Sequence, residues 1–219
     1  MKTTIFQDKN RIEIEKKIKV FINGQSDFLS GRTASSPRAV GDAIQSILDD
    51  SFGTLLGKYA KDFSSQFARR AMADLAFTDI EENYHVVDVK THRLDTVFNM
   101  PNLTSVERLS RFYEDDKNHF DLLLLAYSVK DLHLTVEKVY FVPIEMLSWS
   151  CLTIGALGWG QIQIANSNKI ILDERCSRKQ WMINLCDVLL EFYPNEIGKI
   201  GIRIEHFKKI KEHWLNKAE

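Results

Sequence analysis

Hydrophobic and polar positions change period several times along the 219 residues, and each change predicts a different element. Between Ile12 and Ile22 the apolar residues Ile14, Ile18 and Phe21 recur three or four apart, the spacing of one helix face. Leu29 to Pro37, rich in Ser and Gly, predicts a loop, and Pro37 can open the next helix because its missing N–H would have no partner there. That helix, over about 37–51, presents Val40, Ile44, Ile47 and Leu48 to a core. Tyr84-His85-Val86-Val87-Asp88-Val89-Lys90 reads as a strand, and Met72-Ala73-Asp74-Leu75-Ala76-Phe77 as the start of a partner strand. Leu94 to Pro101 is a connection and Thr104 to Asp115 a helix. Phe120 to Val129 is apolar almost throughout, which suits a central strand buried on both faces, and Leu132 to Val142 alternates well enough to be its neighbour. Arg178–Tyr193 and Glu196–Leu215 read as two amphipathic helices separated at Tyr193-Pro194-Asn195. The elements together predict an α/β (α+β) fold with a mixed central β-sheet flanked by helices.

Composition narrows the class. A 25.3 kDa chain with 44% hydrophobic and 27% charged residues is large enough for a substantial core and is expected to form one domain over 1–219. Within it, 1–28 would be a peripheral or dimer-forming helix and 29–215 the working core. No repeat, low-complexity tract or interdomain linker stands out. No run of about eighteen apolar residues exists, and Met1-Lys2-Thr3-Thr4-Ile5-Phe6-Gln7-Asp8 is followed by charge rather than by a secretory apolar segment. The expectation is a cytoplasmic protein without membrane contact. Cys151, Cys176 and Cys186 lack Cys-x-x-Cys spacing and indicate neither a zinc site nor a disulfide framework.

The candidate chemistry sits at the end of the Tyr84–Lys90 run. Side chains alternate across a strand, so Asp88 and Lys90 share one face while Val87 and Val89 take the other. If the two strands pair, Asp74 approaches Asp88, with Asp79 the first alternative to Asp74. Two carboxylates beside an ammonium suit a hard divalent cation that polarises a phosphoryl oxygen and activates water. The acid-x-Lys triplet also occurs at Glu15-Lys16-Lys17 and Asp115-Asp116-Lys117, both in charged, helix-like surroundings. Only the Asp88 instance ends a β-branched run and follows a second carboxylate. A structural salt bridge at a strand end is the competing account.

These residues, taken in order, resemble the type II restriction endonucleases of the PD-(D/E)XK superfamily, nearest the blunt-cutting branch that includes HincII and EcoRV. Carrying the resemblance are Leu29-Ser30-Gly31, then Gly41-Asp42-Ala43-Ile44, Asp88-Val89-Lys90-Thr91, Pro101-Asn102-Leu103 and Gln161-Ile162-Gln163-Ile164, spread over roughly residues 29 to 215. The resemblance implies a PD-(D/E)XK restriction-endonuclease-like fold in which Asp74, Asp88 and Lys90 are catalytic. It implies magnesium held by Asp74, Asp88, the Val89 carbonyl and, on the preceding helix, Asp42, with manganese a substitute and calcium bound without turnover. The family has Pro before its first Asp, whereas Ala73 precedes Asp74 here, and its helix acid is Glu where this chain has the shorter Asp42.

Implied partners are double-stranded DNA with a palindromic site and a second copy of the chain, in a restriction–modification system. The cognate methyltransferase would act on the same site without required contact. A net charge of −1 is low for a DNA-binding protein, so local charge must decide. Arg32, Arg38, Arg69, Arg70, His92, Arg93, Arg108 and Arg111 crowd around the catalytic segment in sequence, while Asp8, Glu13, Glu15, Glu191 and Glu196 lie in helices further off. Expected DNA contacts are Ser30, Gly31, Arg32, Thr91, His92 and Arg93. Asn99, Met100 and Asn102 match the family's minor-groove turn, for which an ordinary surface turn is the competing account. Gly155, Trp159, Gln161 and Gln163 follow, where glycines allow close approach and Gln can pair bidentately with adenine. A buried hairpin with a core Trp159 competes with that assignment. Other readings are a repair or recombination nuclease of the same superfamily and a non-catalytic DNA-binding protein.

Overall fold

The computed structural model describes residues 3–25, 30–64, 73–96, 100–130 and 132–217. Leu29, Arg69, Arg70, Met72 and Asn99 lie outside the described residues, as does the side chain of Arg32. Contacts divide the chain into two units, Met1–Arg175 and Cys176–Glu219.

In the first unit, helix α1 (Asp8–Asn23), read from sequence as peripheral or dimer-forming, buries Ile14, Ile18 and Ile22 completely. Its polar side chains reach the sheet as well. The Phe141 N–H donates to Glu15 at 2.8 Å, and the Val136 N–H to Asn23 at 2.7 Å. The Ser-rich segment expected to be a loop contains a short helix, α2 (Gly31–Ser35), because the Ser30 hydroxyl accepts from the Thr33 N–H and so satisfies an otherwise orphan donor. Helix α3 (Pro37–Leu56) opens with Pro at its first turn and Ser36 as its cap. It runs past the expected end because Phe52 and Leu56 continue the four-residue spacing of Val40, Ile44 and Leu48, all fully buried. Ile47 is only half-buried.

These helices pack on a five-stranded mixed sheet of β1 (Ala60–Phe63), β2 (Leu75–Asp79), β3 (Tyr84–Arg93), β5 (Asn118–Lys130) and β6 (His133–Pro143), in the order β1-β2-β3-β5-β6. Only β3 and β5 run parallel. The intervening strand β4 (Asn102–Ser105) belongs to a second, antiparallel sheet, β4-β8-β7, with β7 (Leu152–Gly155) and β8 (Gln161–Ile164). The first sheet is apolar on both faces. Val87, Val89, Leu123 and Leu125 join the core under α1 and α3, while Val86, Phe120, Leu122, Leu124 and Val142 are buried outside that cluster. This explains why the Phe120–Leu125 run shows almost no polar alternation.

The segment expected to be one helix over Thr104–Asp115 is instead strand β4 followed by helix α4 (Val106–Phe112). Pairing with β8 claims Asn102, Thr104 and Ser105, so the helix starts only beyond them.

In the second unit, α5 (Arg178–Leu215) is one helix where two were expected. Pro194 removes the N–H that the Leu190 carbonyl would accept. The apolar spacing continues on both sides nonetheless, and the Asn195 side-chain amide donates to the neighbouring Glu191 carbonyl at 3.0 Å. Among the described residues no helix is long and apolar enough to cross a membrane.

Candidate active site

The antiparallel register of β2 and β3 pairs Leu75 with Val87, and the Asp74 N–H donates to the Val87 carbonyl at 3.0 Å. Asp74 therefore sits just outside β2, beside Asp88. Its carboxylate is held by two donors, the Gln45 side-chain amide at 3.0 Å and the Val89 N–H at 2.8 Å. Asp88 is 5% exposed. One of its oxygens accepts from the Lys90 ammonium at 2.6 Å, and the other is buried without a hydrogen-bond partner. Burial pushes the Asp88 carboxyl up to about 7, with Lys90 opposing the rise and Asp74 adding to it.

An open cleft of ≈ 280 Å³ lies above this strand end, lined by Arg38, Gly41, Asp42 and Gln45 of α3 and by Val89, Lys90 and Thr91 of β3. The helix can lie so close because residue 41 has no side chain. A Cβ at Gly41 would stand 2.8 Å from the Thr91 hydroxyl oxygen. Asp42 is exposed on the cleft wall. It does not form, with Asp74 and Asp88, a set of ligand atoms all within 4.8 Å, a condition that His85, His119 and Asp121 do meet among the described residues.

Gln45, one turn beyond Gly41 and on the same side of α3, has no counterpart in the reading from sequence. The four-residue spacing was a usable signal, but only the pairing of α3 with β3 gives an amide in that position a carboxylate to orient.

The residues expected at DNA separate into three groups. Asn102 and Gln163 are cross-strand neighbours in the second sheet, and the Gln163 side-chain amide donates to the Asn102 side-chain oxygen Oδ1 at 2.5 Å. A Cβ at Gly155 would meet the Gln163 side chain at 2.7 Å, so glycine there makes room for this amide pair. Gln161 pairs across to Gly155 and to Ser105. Trp159 is 58% exposed at the tip of the β7–β8 hairpin, which sets aside a core role for it, and Met100 is 39% exposed. His92 and Arg93 form the second group and bond to other parts of the chain. His92 is buried and bonded to the Asn168 side chain at 2.8 Å, while Arg93 reaches the Ala34 carbonyl at 3.1 Å and Asp95 at 2.8 Å. In the third group, Ser30 spends its hydroxyl on capping α2, Gly31 is the first residue of that helix, and Thr91 lines the cleft.

A second charged cluster, not singled out by the sequence, lies at the other end of the β2–β3 pair. His85 is fully buried, with Nδ1 2.6 Å from Asp121 and Nε2 3.2 Å from Asp79. Its ring stacks on Phe77 at 4.5 Å and on His119 at 4.6 Å. Asp79 also accepts from the backbone N–H groups of Glu81 and Asn83 and from the Asn83 amide. Burial alone would depress the histidine, but Asp121 and Asp79 outweigh it and hold His85 at about 9. Burial raises Asp79, and its bonds to His85 and Asn83 outweigh that and lower it overall. Asp79 is thus a structural partner of His85, and Asp74 is the acid beside Asp88. No protein-family model matches the chain, and no curated protein matches it.

Proposed function

We propose that this chain is a magnesium-dependent type II restriction endonuclease that hydrolyses both strands of a palindromic DNA site as a homodimer, leaving blunt ends. The observation that carries the reading is the convergence of Asp74, Asp88 and Lys90 where the pairing of β2 with β3 ends, with a buried Asp88 oxygen that no protein group satisfies. A buried carboxylate oxygen without a donor is costly in a folded protein, and a hard cation is the partner that removes the cost. Asp74 and Asp88 supply oxygen donors of the right chemistry, and the carbonyl of Val89, the residue between Asp88 and Lys90 in the chain, is the third donor of this reading.

Magnesium held there would polarise a phosphoryl oxygen and make bound water more acidic. The remaining work falls to the chain. Gln45 and the Val89 N–H fix the Asp74 carboxylate in orientation. Lys90, anchored on Asp88 at 2.6 Å and lining the cleft, places a positive charge where negative charge develops on the phosphoryl group and orients the attacking water. Asn102, Gln163 and the exposed Met100 and Trp159 form the groove-facing set, leaving His92 and Arg93 to hold the scaffold. Manganese substitutes for magnesium, and calcium binds without supporting turnover.

Digestion of plasmid and phage DNA with magnesium, followed by sequencing of the ends, tests the reading. Discrete blunt fragments sharing a palindrome are expected. Nicks in one strand would point to a repair nuclease instead. A folded protein that leaves DNA intact with both magnesium and manganese would remove the nuclease reading. A gel-shift titration adds the metal itself: calcium should tighten DNA binding to the native chain, and Asp88→Ala should abolish that gain.

A further inference from the structure

Helix α5 carries an apolar seam with a period of 3.5 residues. Leu190, Ile197 and Ile204 recur every seven positions, and Tyr193, Ile200 and Phe207 recur every seven positions three residues later. This is the a/d pattern of a coiled coil, which an isolated surface helix, whose apolar face follows 3.6 residues, does not need. The six side chains are 38–72% exposed. The seam extends in the same register to Ile183 and Trp214, which are 44% and 61% exposed. Ten aligned positions over the helix include only one charge, Lys211.

We propose that α5 pairs with the α5 of a second copy of this chain, antiparallel, through this seam. Self-pairing in that direction brings an a position opposite a d position throughout: Ile197 meets Ile200 of the second copy, Ile204 meets Tyr193, and Leu190 meets Phe207. The flanking positions decide the orientation. Antiparallel pairing sets Glu196 against Arg203 and Asp187 against Lys208, and the twofold axis makes each pair occur twice. Parallel pairing would instead set Arg203 against Lys208, two like charges. The antiparallel register also brings the Pro194 ring opposite Gly201, where a side chain is absent and a Cβ would meet nothing within 4 Å. The ordinary local ion pairs of this helix, Glu196 with Lys199 and Glu205 with Lys208, leave Arg203 and Asp187 as the groups that gain most from a second copy.

The pairing does not depend on the proposed nuclease activity, and its test uses neither DNA nor metal. Sedimentation equilibrium of the full chain should show self-association, and Ile197→Glu with Ile204→Glu should halve the mass of the associated species while circular dichroism stays helical, since both positions are exposed in the single chain. Glu196→Arg alone should weaken association roughly tenfold, because two attractive pairs become two repulsive ones. Glu196→Arg combined with Arg203→Glu should restore it, although the local pair with Lys199 is lost in both variants. A monomeric native chain, or a mass unaffected by the two Ile→Glu changes, would overturn the proposal. A double reversal that stays as weak as the single one would overturn the antiparallel register.

Discussion

Two charged clusters lie at opposite ends of the same pair of strands and solve burial in opposite ways. At one end, His85 is enclosed by Asp121, Asp79 and two aromatic faces, and Asp79 is further held by Asn83 and Glu81. His85 and Asp79 each hold the other in its charged form. At the other end, Asp88 keeps one oxygen without a donor, and its carboxyl is pushed towards the neutral form. The first arrangement is explained by the folded chain alone. The second leaves a buried carboxylate oxygen that no protein group satisfies, and on the proposed function that oxygen is kept for a cation. The difference also teaches that a cluster of His and Asp with ligand-like spacing is weak grounds for a metal site when its nitrogens already face carboxylates inside a stacked core.

The contrast makes its largest prediction at Asp88. On the proposed function, Asp88→Asn or Lys90→Ala should lower DNA cleavage by at least about a thousandfold, because the proposed metal ligand or positioned charge is lost. Asp88→Asn should melt at or above the temperature of the native chain at pH 8, since the neutral amide avoids ionising a buried carboxyl. A cleavage assay beside a thermal melt reads both, and Asp88→Asn with near-native turnover would relocate the active site.

Next in size is the other cluster. His85→Phe should cost about 3–5 kcal/mol, because it leaves Asp79 and Asp121 buried without their shared cation. Urea unfolding measures this loss, and the specific activity of the folded fraction should be almost unchanged. A cleavage loss as deep as that of Lys90→Ala would erase the division between the two ends.

The pH dependence follows from His85 with its sign fixed. Because its folded value is raised from 6.5 to about 9, the stability it contributes is complete below 6.5 and is lost as pH rises through about 9. The total is on the order of 3 kcal/mol, because each pH unit between the unfolded and folded values is worth ~1.4 kcal/mol. Asp79, held low, contributes the opposite limb, present above its ordinary 3.8 and lost as pH falls below it. Urea melts between pH 6 and pH 10 should show the alkaline loss in the native chain and a flatter limb in His85→Phe.

The smallest effect is expected away from both clusters. Asn102→Ala removes an exposed amide whose internal bond is to Gln163, so stability should change by less than about 1 kcal/mol while cleavage falls roughly tenfold. A stability loss without a fall in the activity of the folded fraction would make the amide pair purely structural.

Local pattern determined much of this protein. The four-residue spacing from Val40 onward set α3, the unbroken apolar run of Phe120–Leu125 set the central strand β5, and alternation in Val86–Lys90 put Asp88 and Lys90 on one face. These follow from periods of 3.6 and 2 that the chain carries locally. The two-helix reading of the C-terminal segment failed because a proline's lost N–H is a local penalty that a long helix can absorb. The helix over Thr104–Asp115 failed because strand β8, almost sixty residues away, claims Asn102–Ser105. Tertiary structure alone decided that His85 meets Asp121, 36 positions on, that Gly41 lets α3 bring Gln45 to Asp74, and that His92 turns inward while Asn102 and Gln163 stay exposed or half-exposed. Those contacts depend on parallel register and helix-on-sheet placement, which no window of neighbouring residues encodes, so chemistry shared between distant segments becomes readable only once the strands are paired.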